Sequence, residues 1–210
     1  MCEINEAFVS ELRGFLRPEQ VMLHAPMCEH TTFKIGGEAD YLIFPAGVDE
    51  AARILRLIAR YGIALTILGN GSNVLVLDKG IRGAVVKFNH PMSSVRVEGE
   101  RIIAGAGALL KDVSAAAAAA GLTGLEFACG IPGSIGGAVF MNAGAYDGEM
   151  KNVVAAVRSV TPQGDCRERQ AAALDLGYRH SVFQSNGEAI CEVTLSLQRG
   201  EREAIEEKMA

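Results

Sequence analysis

The spacing of apolar residues and the local composition predict four helices along the chain. Apolar positions recur every three or four residues over 3–16 and again, with a stronger stripe, over Val48–Tyr61. The second of these segments has acidic residues in its first turn and a glycine just past its end, as the helix dipole and a C-cap favour. An alanine-rich run predicts a third helix over Leu109–Ala120, and Glu201–Met209 is helical by composition.

Short apolar runs between these segments predict strands. A hairpin joins two of them through Gly99-Glu100, a short turn of the kind that matches strand twist. Residues 18–34 are predicted as a polar connection and 161–165 as a turn. The strands are too many and too closely spaced for a doubly wound parallel sheet, so we predict an α+β fold whose two subdomains meet near residue 90. The predicted strands are Tyr41–Pro45, Ala64–Leu68, Val74–Leu77, Ala84–Phe88, Val95–Val97, Arg101–Ile103, Val153–Val160 and Ile190–Leu197.

Composition narrows the class of protein. The 210 residues are 49% hydrophobic and carry a net charge of −5, and this acidic balance argues against a nucleic-acid partner. No apolar run is long enough to predict a membrane span. The five cysteines form no C-x-x-C pair and the four histidines share no ligand spacing, which predicts free thiols, a cytoplasmic location and no metal site.

Glycine clusters carry the first chemical signal. Leu68 is followed by Gly69, Asn70, Gly71, Ser72 and Asn73, between two predicted strands. Glycines let the backbone approach a ligand closely, and successive N–H groups in such a turn can form a concave anion site. This cluster therefore suggests a phosphate or pyrophosphate loop, although a simple β-turn would have the same composition.

A second glycine-rich segment runs from Gly130 to Tyr146 and is apolar rather than polar, unlike a flexible linker. We predict that residues 130–148 are mostly loop, folded around a flat or bulky ligand; a compact surface loop is the alternative. Gly105 and Gly107 imitate a dinucleotide-binding fingerprint, but its third glycine position holds Leu110, and no Walker A pattern occurs. The two loops therefore point to a nucleotide cofactor in a fold of neither type.

Five ordered motifs between residue 31 and about residue 198 resemble the UDP-N-acetylenolpyruvoylglucosamine reductases, which are flavoenzymes of peptidoglycan synthesis. The motifs are Thr32-Phe33-Lys34-Ile35-Gly36-Gly37, Leu68 to Asn73, Gly124 to Gly137, Met141 to Tyr146 and Gly177 to Phe183.

The resemblance implies an FAD-binding fold of the vanillyl-alcohol-oxidase (PCMH) type, with FAD between two α+β subdomains. The implied division is an N-terminal helix and connection over 1–28, subdomains over 29–90 and 91–200, and the start of a further domain over 201–210.

The resemblance also implies the cofactor-binding residues. The first loop, Gly69, Asn70, Gly71, Ser72 and Asn73, would hold the pyrophosphate. Residues that would line the flavin and its ribityl chain are Ile131, Pro132, Gly133, Ser134, Gly137, Asn142, Gly144, Ala145 and Tyr146.

In this family NADPH reduces FAD, and the reduced flavin passes hydride to the enolpyruvyl ether of a UDP-sugar, giving UDP-N-acetylmuramate for cell-wall biogenesis, cell shape and division. By resemblance Arg179 is the catalytic residue that stabilises negative charge developing on the substrate carboxylate, as a guanidinium can do bidentately. Tyr178 is the predicted substrate contact, and Ser181 is a weaker candidate.

The sequence departs from the family at its C-terminal end. The family continues with a substrate-binding domain that carries a proton-donating serine and a late glutamate, and no residue here matches either. We therefore expect an amino-terminal portion or a truncated relative. Two alternatives stay open: another flavin oxidoreductase of the same fold, which the lack of a histidine or cysteine poised for covalent flavin attachment disfavours, or a non-catalytic FAD-binding module. The oligomeric state is not predicted.

Overall fold

A computed structural model describes residues 4–209 of the chain. The helices are α1 (Glu6–Arg13), α2 (Val48–Arg60), α3 (Leu110–Ala119), α4 (Ile135–Phe140), α5 (Phe183–Asn186) and α6 (Arg202–Met209). The strands are β1 (Val21–Pro26), β2 (Glu38–Ile43), β3 (Leu65–Leu68), β4 (Ile81–Lys87), β5 (Val95–Glu98), β6 (Arg101–Gly105), β7 (Leu122–Thr123), β8 (Gly144–Ala145), β9 (Gly148–Glu149), β10 (Val154–Val160), β11 (Cys166–Gln170), β12 (Ala189–Ser196) and β13 (Gln198–Arg199).

The chain forms two main sheets, one from its N-terminal strands β1 to β4 and one from later strands. The first is four-stranded, in the order β1-β2-β4-β3, with β1 antiparallel to β2 and the other neighbours parallel. The second is five-stranded and antiparallel throughout, in the order β11-β10-β12-β6-β5. This mixture confirms the α+β prediction, and β5 and β6 form the predicted hairpin. The proposed domain boundaries themselves remain a prediction.

The larger of two buried clusters among the described residues runs through both sheets and the helices against them, and includes Phe8, Ile54, Val86, Leu110 and Val193. The helix α2 follows β2 of the first sheet along the chain and contacts the turn between β10 and β11 of the second sheet. Its Arg56 donates to the carbonyl oxygens of Gln163, at 3.3 Å, and Gly164, at 3.0 Å.

Several local predictions were wrong or incomplete. Residues 18–34 contain β1, which pairs with β2, rather than only a polar connection. Val74–Leu77 belongs to no strand, and β11 was missed. The segment 130–148 holds α4 and the short pair β8 and β9 in addition to loop.

The predicted N-terminal helix is shorter than expected, since α1 covers Glu6–Arg13. The start of that prediction at Glu3 lies outside the described residues. The side chain of Asn5 caps this helix by accepting a bond from Phe8 N at 3.0 Å, which fixes where it begins. No helix within 4–209 is both long and apolar enough to cross a membrane.

Candidate functional site

The loop 69–73 begins where β3 ends. Gly71 has a φ of +73°, and a Cβ there would lie 2.5 Å from the carbonyl oxygen of His30. The N–H of Thr32 donates to the carbonyl of Gly71 at 3.1 Å. Only glycine fits this backbone at this separation, so the segment 30–32 fixes the shape of the loop.

The second glycine segment is held against the start of α3 by its backbone. Ile135 N donates to Ala108 O at 2.8 Å and Gly136 N donates to Ala106 O at 3.0 Å. A Cβ on Gly136 would approach Ala106 Cβ to 2.8 Å, so the contact requires glycine. Ser134 caps α4, because its side chain accepts a bond from Gly137 N.

The two glycine segments face each other across a cavity of about 390 Å³, a size typical of ligand pockets. The side chain of Asn70 bridges them by donating to Pro132 O at 3.3 Å, and a methyl group on Gly69 would overlap Ser134 Oγ. Twelve of the predicted site residues line this cavity: Gly69, Asn70, Gly71, Ser72, Asn73, Ile131, Pro132, Gly133, Ser134, Gly137, Gly144 and Arg179.

Part of the cavity wall could not be predicted from the sequence. Four apolar residues from both sheets and α3 contribute to it, together with the buried Glu188. These residues carry no motif, since each sits in or beside a regular element and reaches the cavity only through the fold. The four apolar residues are Phe88, Ala106, Leu110 and Ile190.

Glu188 is an ion-paired carboxylate rather than a free charge. Arg169 Nε donates to its Oε2 at 3.0 Å, and Ser159 Oγ donates to the same oxygen at 2.7 Å. The bond from Arg169 is the main cause that holds the pKa of Glu188 below its usual value, against burial, which raises it. Among the described residues that line the cavity, Arg179 is the only other one with a charged side chain.

Arg179 lies at the corner of a tight turn. Gly177 and His180 exchange backbone bonds of 3.0 and 3.1 Å, and Arg179 between them has a φ of +50°. The side chain of Gln184 donates to Arg179 O at 2.9 Å and to Phe140 O at 3.1 Å, which anchors the turn to the end of α4. A non-glycine residue in this conformation costs free energy, and such residues concentrate at functional sites.

The exposed guanidinium of Arg179 reaches back to the first loop. Its Nη2 donates to Asn73 Oδ1 at 3.3 Å. Because this bond is long and its acceptor is neutral, a carboxylate ligand would be the stronger partner.

The four predicted site residues that do not line the first cavity line a neighbouring depression of about 590 Å³. The two cavities share Met141, Ala143, Gly144 and Arg179. Two of the four predicted residues, Tyr146 and Tyr178, are 91% and 94% exposed. The four residues are Asn142, Ala145, Tyr146 and Tyr178.

Two side chains predicted to serve the site are bonded within the protein instead. Both N–H groups of the Asn142 amide are used, by Glu149 Oε2 at 2.8 Å and Gly177 O at 2.9 Å, while its oxygen accepts from Lys151 N at 2.8 Å. Ser181 is fully buried and donates to Phe140 O at 2.7 Å. Their side chains therefore hold the loops around Arg179 in place.

Comparison with known proteins identifies the family. The family model described as an FAD binding domain matches residues 39–170. The UDP-N-acetylenolpyruvoylglucosamine reductase of Geobacillus thermodenitrificans is 44% identical over 207 residues, which cover 99% of this chain and 68% of that protein. The chain belongs to this family of reductases. The reductase of Clostridium perfringens strain SM101 is 45% identical over 202 residues, which cover 96% of this chain. The chain spans 66% of the length of that relative.

Solved structures agree with this assignment. The crystal structure of the UDP-N-acetylenolpyruvylglucosamine reductase from Thermus caldophilus is 34% identical, with a TM-score of 0.77 over 90% of this chain and 65% of that one. The structure of an alkyldihydroxyacetonephosphate synthase is 18% identical, with a TM-score of 0.71 over 94% of this chain and 41% of the synthase chain. At this identity the likeness shows a shared fold alone. The predicted PCMH-type fold is thereby confirmed.

Proposed function

We propose that this chain binds FAD without a covalent bond and supplies the flavin domain of a reductase that acts on the enolpyruvyl ether of UDP-N-acetylglucosamine. NADPH would be the reductant and UDP-N-acetylmuramate the product, used for peptidoglycan in the cytoplasm. The observation that carries the proposal is the cavity between the loops 69–73 and 131–144, with Arg179 among its lining residues. No cysteine or histidine lines either cavity within residues 4–209, which supports a non-covalent cofactor.

The residues present fit FAD. A loop without charged side chains, whose glycines let a ligand reach the backbone N–H groups, suits a pyrophosphate. The apolar wall made by Phe88, Leu110 and Ile190 suits a flat ring system. When bound, FAD would supply a carrier for the two electrons that NADPH delivers.

Arg179 would act on the substrate. Reduction of an enol ether places a hydride on the terminal carbon of the double bond, and the π-electron pair shifts toward the attached carboxylate before a proton reaches the second carbon. A guanidinium fixed beside that carboxylate stabilises the developing negative charge. The turn that holds Arg179 fixes its backbone, and the weak bond to Asn73 leaves its side chain free to change partner. We assign no proton donor.

Cofactor binding tests the first half of the proposal. The full chain, freed of flavin and titrated with FAD, should quench flavin fluorescence at one equivalent and turn yellow. A chain that takes up no FAD would overturn the proposal.

Substrate turnover tests the second half. Under anaerobic conditions, NADPH should reduce the bound flavin, and the enolpyruvyl sugar nucleotide should reoxidise it. Arg179→Lys should slow reoxidation by about 100-fold or more while FAD affinity is kept, because an ammonium cannot form the bidentate contact. Arg101→Lys, at an exposed strand position, should leave both unchanged. Flavin that binds but is reoxidised equally fast without the sugar nucleotide would favour a different flavin oxidoreductase, and flavin that NADPH never reduces would favour a non-catalytic module.

A further inference from the structure

Lys87 is a half-buried lysine directly behind the first glycine loop. It ends β4, where it pairs in parallel register with Leu68, the residue that precedes the loop. Its ammonium group donates to the carbonyl oxygen of His30 at 2.9 Å. The carboxyl ends of parallel strands thus place a cation beside the start of the loop.

The same carbonyl connects the lysine to the loop. The oxygen of His30 lies 2.5 Å from the Cβ position of Gly71, and Thr32 N donates to Gly71 O at 3.1 Å. Residues 30–32 therefore form a single layer of backbone between the ammonium group and the loop. Lys87 does not line the cavity, so any effect on a ligand passes through this layer.

The charge of Lys87 has no carboxylate partner. Among residues 4–209, no Asp or Glu oxygen lies within 4.0 Å of its ammonium group. Burial lowers the pKa of Lys87, since a desolvated ammonium group without a counter-charge is unfavourable. The five residues of the loop, Gly69 to Asn73, contribute no charge of either sign.

We propose that Lys87 is a positioning residue for the diphosphate of the cofactor, holding the His30 carbonyl against Gly71 and supplying from behind the loop the positive charge that the loop lacks. This inference rests on the proposed binding of FAD. A diphosphate brings two negative charges into the site, and their attraction to a cation acts over several ångströms in a poorly hydrated surrounding. The bound anion would in turn supply the counter-charge that Lys87 lacks.

Three variants of the full chain test the role by FAD titration at low and high salt. Lys87→Gln should weaken FAD binding about tenfold or more and reduce its salt dependence, because one cation is removed from the anion site. Lys87→Arg should restore most of the affinity, because it keeps the charge. Lys79→Gln removes an exposed lysine of the preceding loop and should bind FAD like the unmodified chain.

The outcomes separate charge from folding. Thermal unfolding of the flavin-free variants reports whether Lys87→Gln is folded, and a structural role alone would weaken Lys87→Arg and Lys87→Gln alike. Equal FAD affinity in Lys87→Gln and the unmodified chain would overturn the inference and leave the proposed function intact. The inference also fails if Lys87→Arg binds FAD no better than Lys87→Gln. If the unmodified chain takes up no FAD, the proposed function fails and this inference with it.

Discussion

A single methyl group at Gly69 would test whether the two glycine segments must touch. A Cβ there would overlap Ser134 Oγ, so Gly69→Ala must displace the hydroxyl that caps α4 at the cavity wall. We expect FAD binding to weaken about tenfold or more, because ligand groups and their hydrogen-bonding partners tolerate little displacement. Titration of the flavin-free chain by fluorescence quenching measures the change.

The control for Gly69→Ala lies in the same site region. A Cβ on Gly130 would meet no atom within 4 Å, and the φ of Gly130 is not positive. Gly130→Ala should therefore bind FAD as tightly as the unmodified chain. If both variants bind alike, the close approach of Gly69 to Ser134 has no part in shaping the cofactor site.

At the scale of elements, α4 is a short helix whose start depends on one side chain. Ser134 caps it, and Ser134→Ala should lower the free energy of unfolding by about 1 kcal/mol. Because Ser134 also lines the cavity, FAD affinity should fall as well. Urea denaturation and FAD titration of the same variant measure the two effects.

A cap far from the site provides the matched control. Asn5 caps α1 through a 3.0 Å bond from Phe8 N, and Asn5→Ala should cost a similar free energy of unfolding. Its FAD affinity should be unchanged. Equal loss of affinity in both variants would show that Ser134 acts only through overall stability.

Elements whose sequence pattern matches their burial could be predicted, and α2, α3 and the β5–β6 hairpin are examples. The helix α4 could not, because two glycines lower its helix propensity and only the approach to Ala106 explains Gly136. The strand β11 has no apolar alternation, since it is an exposed edge strand.

Val74–Leu77 shows the opposite error. Its exposure alternates as in a strand, with Val76 buried and Leu75 and Leu77 exposed. Among the described residues, the segment just before β2 gives Val74–Leu77 only one backbone hydrogen bond, from Gly37 N to Leu77 O. A single bond does not make the ladder of a strand pair. Hydrophobic alternation reports which face is buried, whereas a strand also needs a partner backbone.

At the scale of the whole molecule, the parts of the site that are glycine-rich loops could be predicted from the sequence. The parts that lie in or beside helices and strands could not. The loops are recognisable in the sequence because their glycines are clustered. Glu188 lines the cavity from just before β12, whereas Lys87 lies behind the first glycine loop at the end of β4. Nothing in their local sequence separates these two residues from surface charges. Their position depends on the packing of both sheets around one cavity, which is information that only the fold contains.

The ion pair between Arg169 and Glu188 makes the stability of the fold depend on pH. The native pKa of Glu188 is lowered, chiefly by its bonds from Arg169, so the carboxylate stabilises the native state. That stability is complete above the unfolded value near 4.5 and is lost as pH falls through the lower native pKa. Glu188→Gln should therefore cost about 1–3 kcal/mol at pH 7, because it leaves Arg169 without its counter-charge.

The pH dependence of stability tests the role of the Glu188 charge. Urea midpoints measured from pH 7 to below pH 4.5 should begin to converge for Glu188→Gln and the unmodified chain, because protonation removes from the unmodified chain the charge that the variant already lacks. Glu168→Gln, an exposed position on the neighbouring strand β11, should follow the unmodified chain at every pH. A gap between Glu188→Gln and the unmodified chain that stays constant with pH would mean that the pair contributes by packing alone. In that case the cavity wall would hold Glu188 by shape, and its charge would have no effect on the fold.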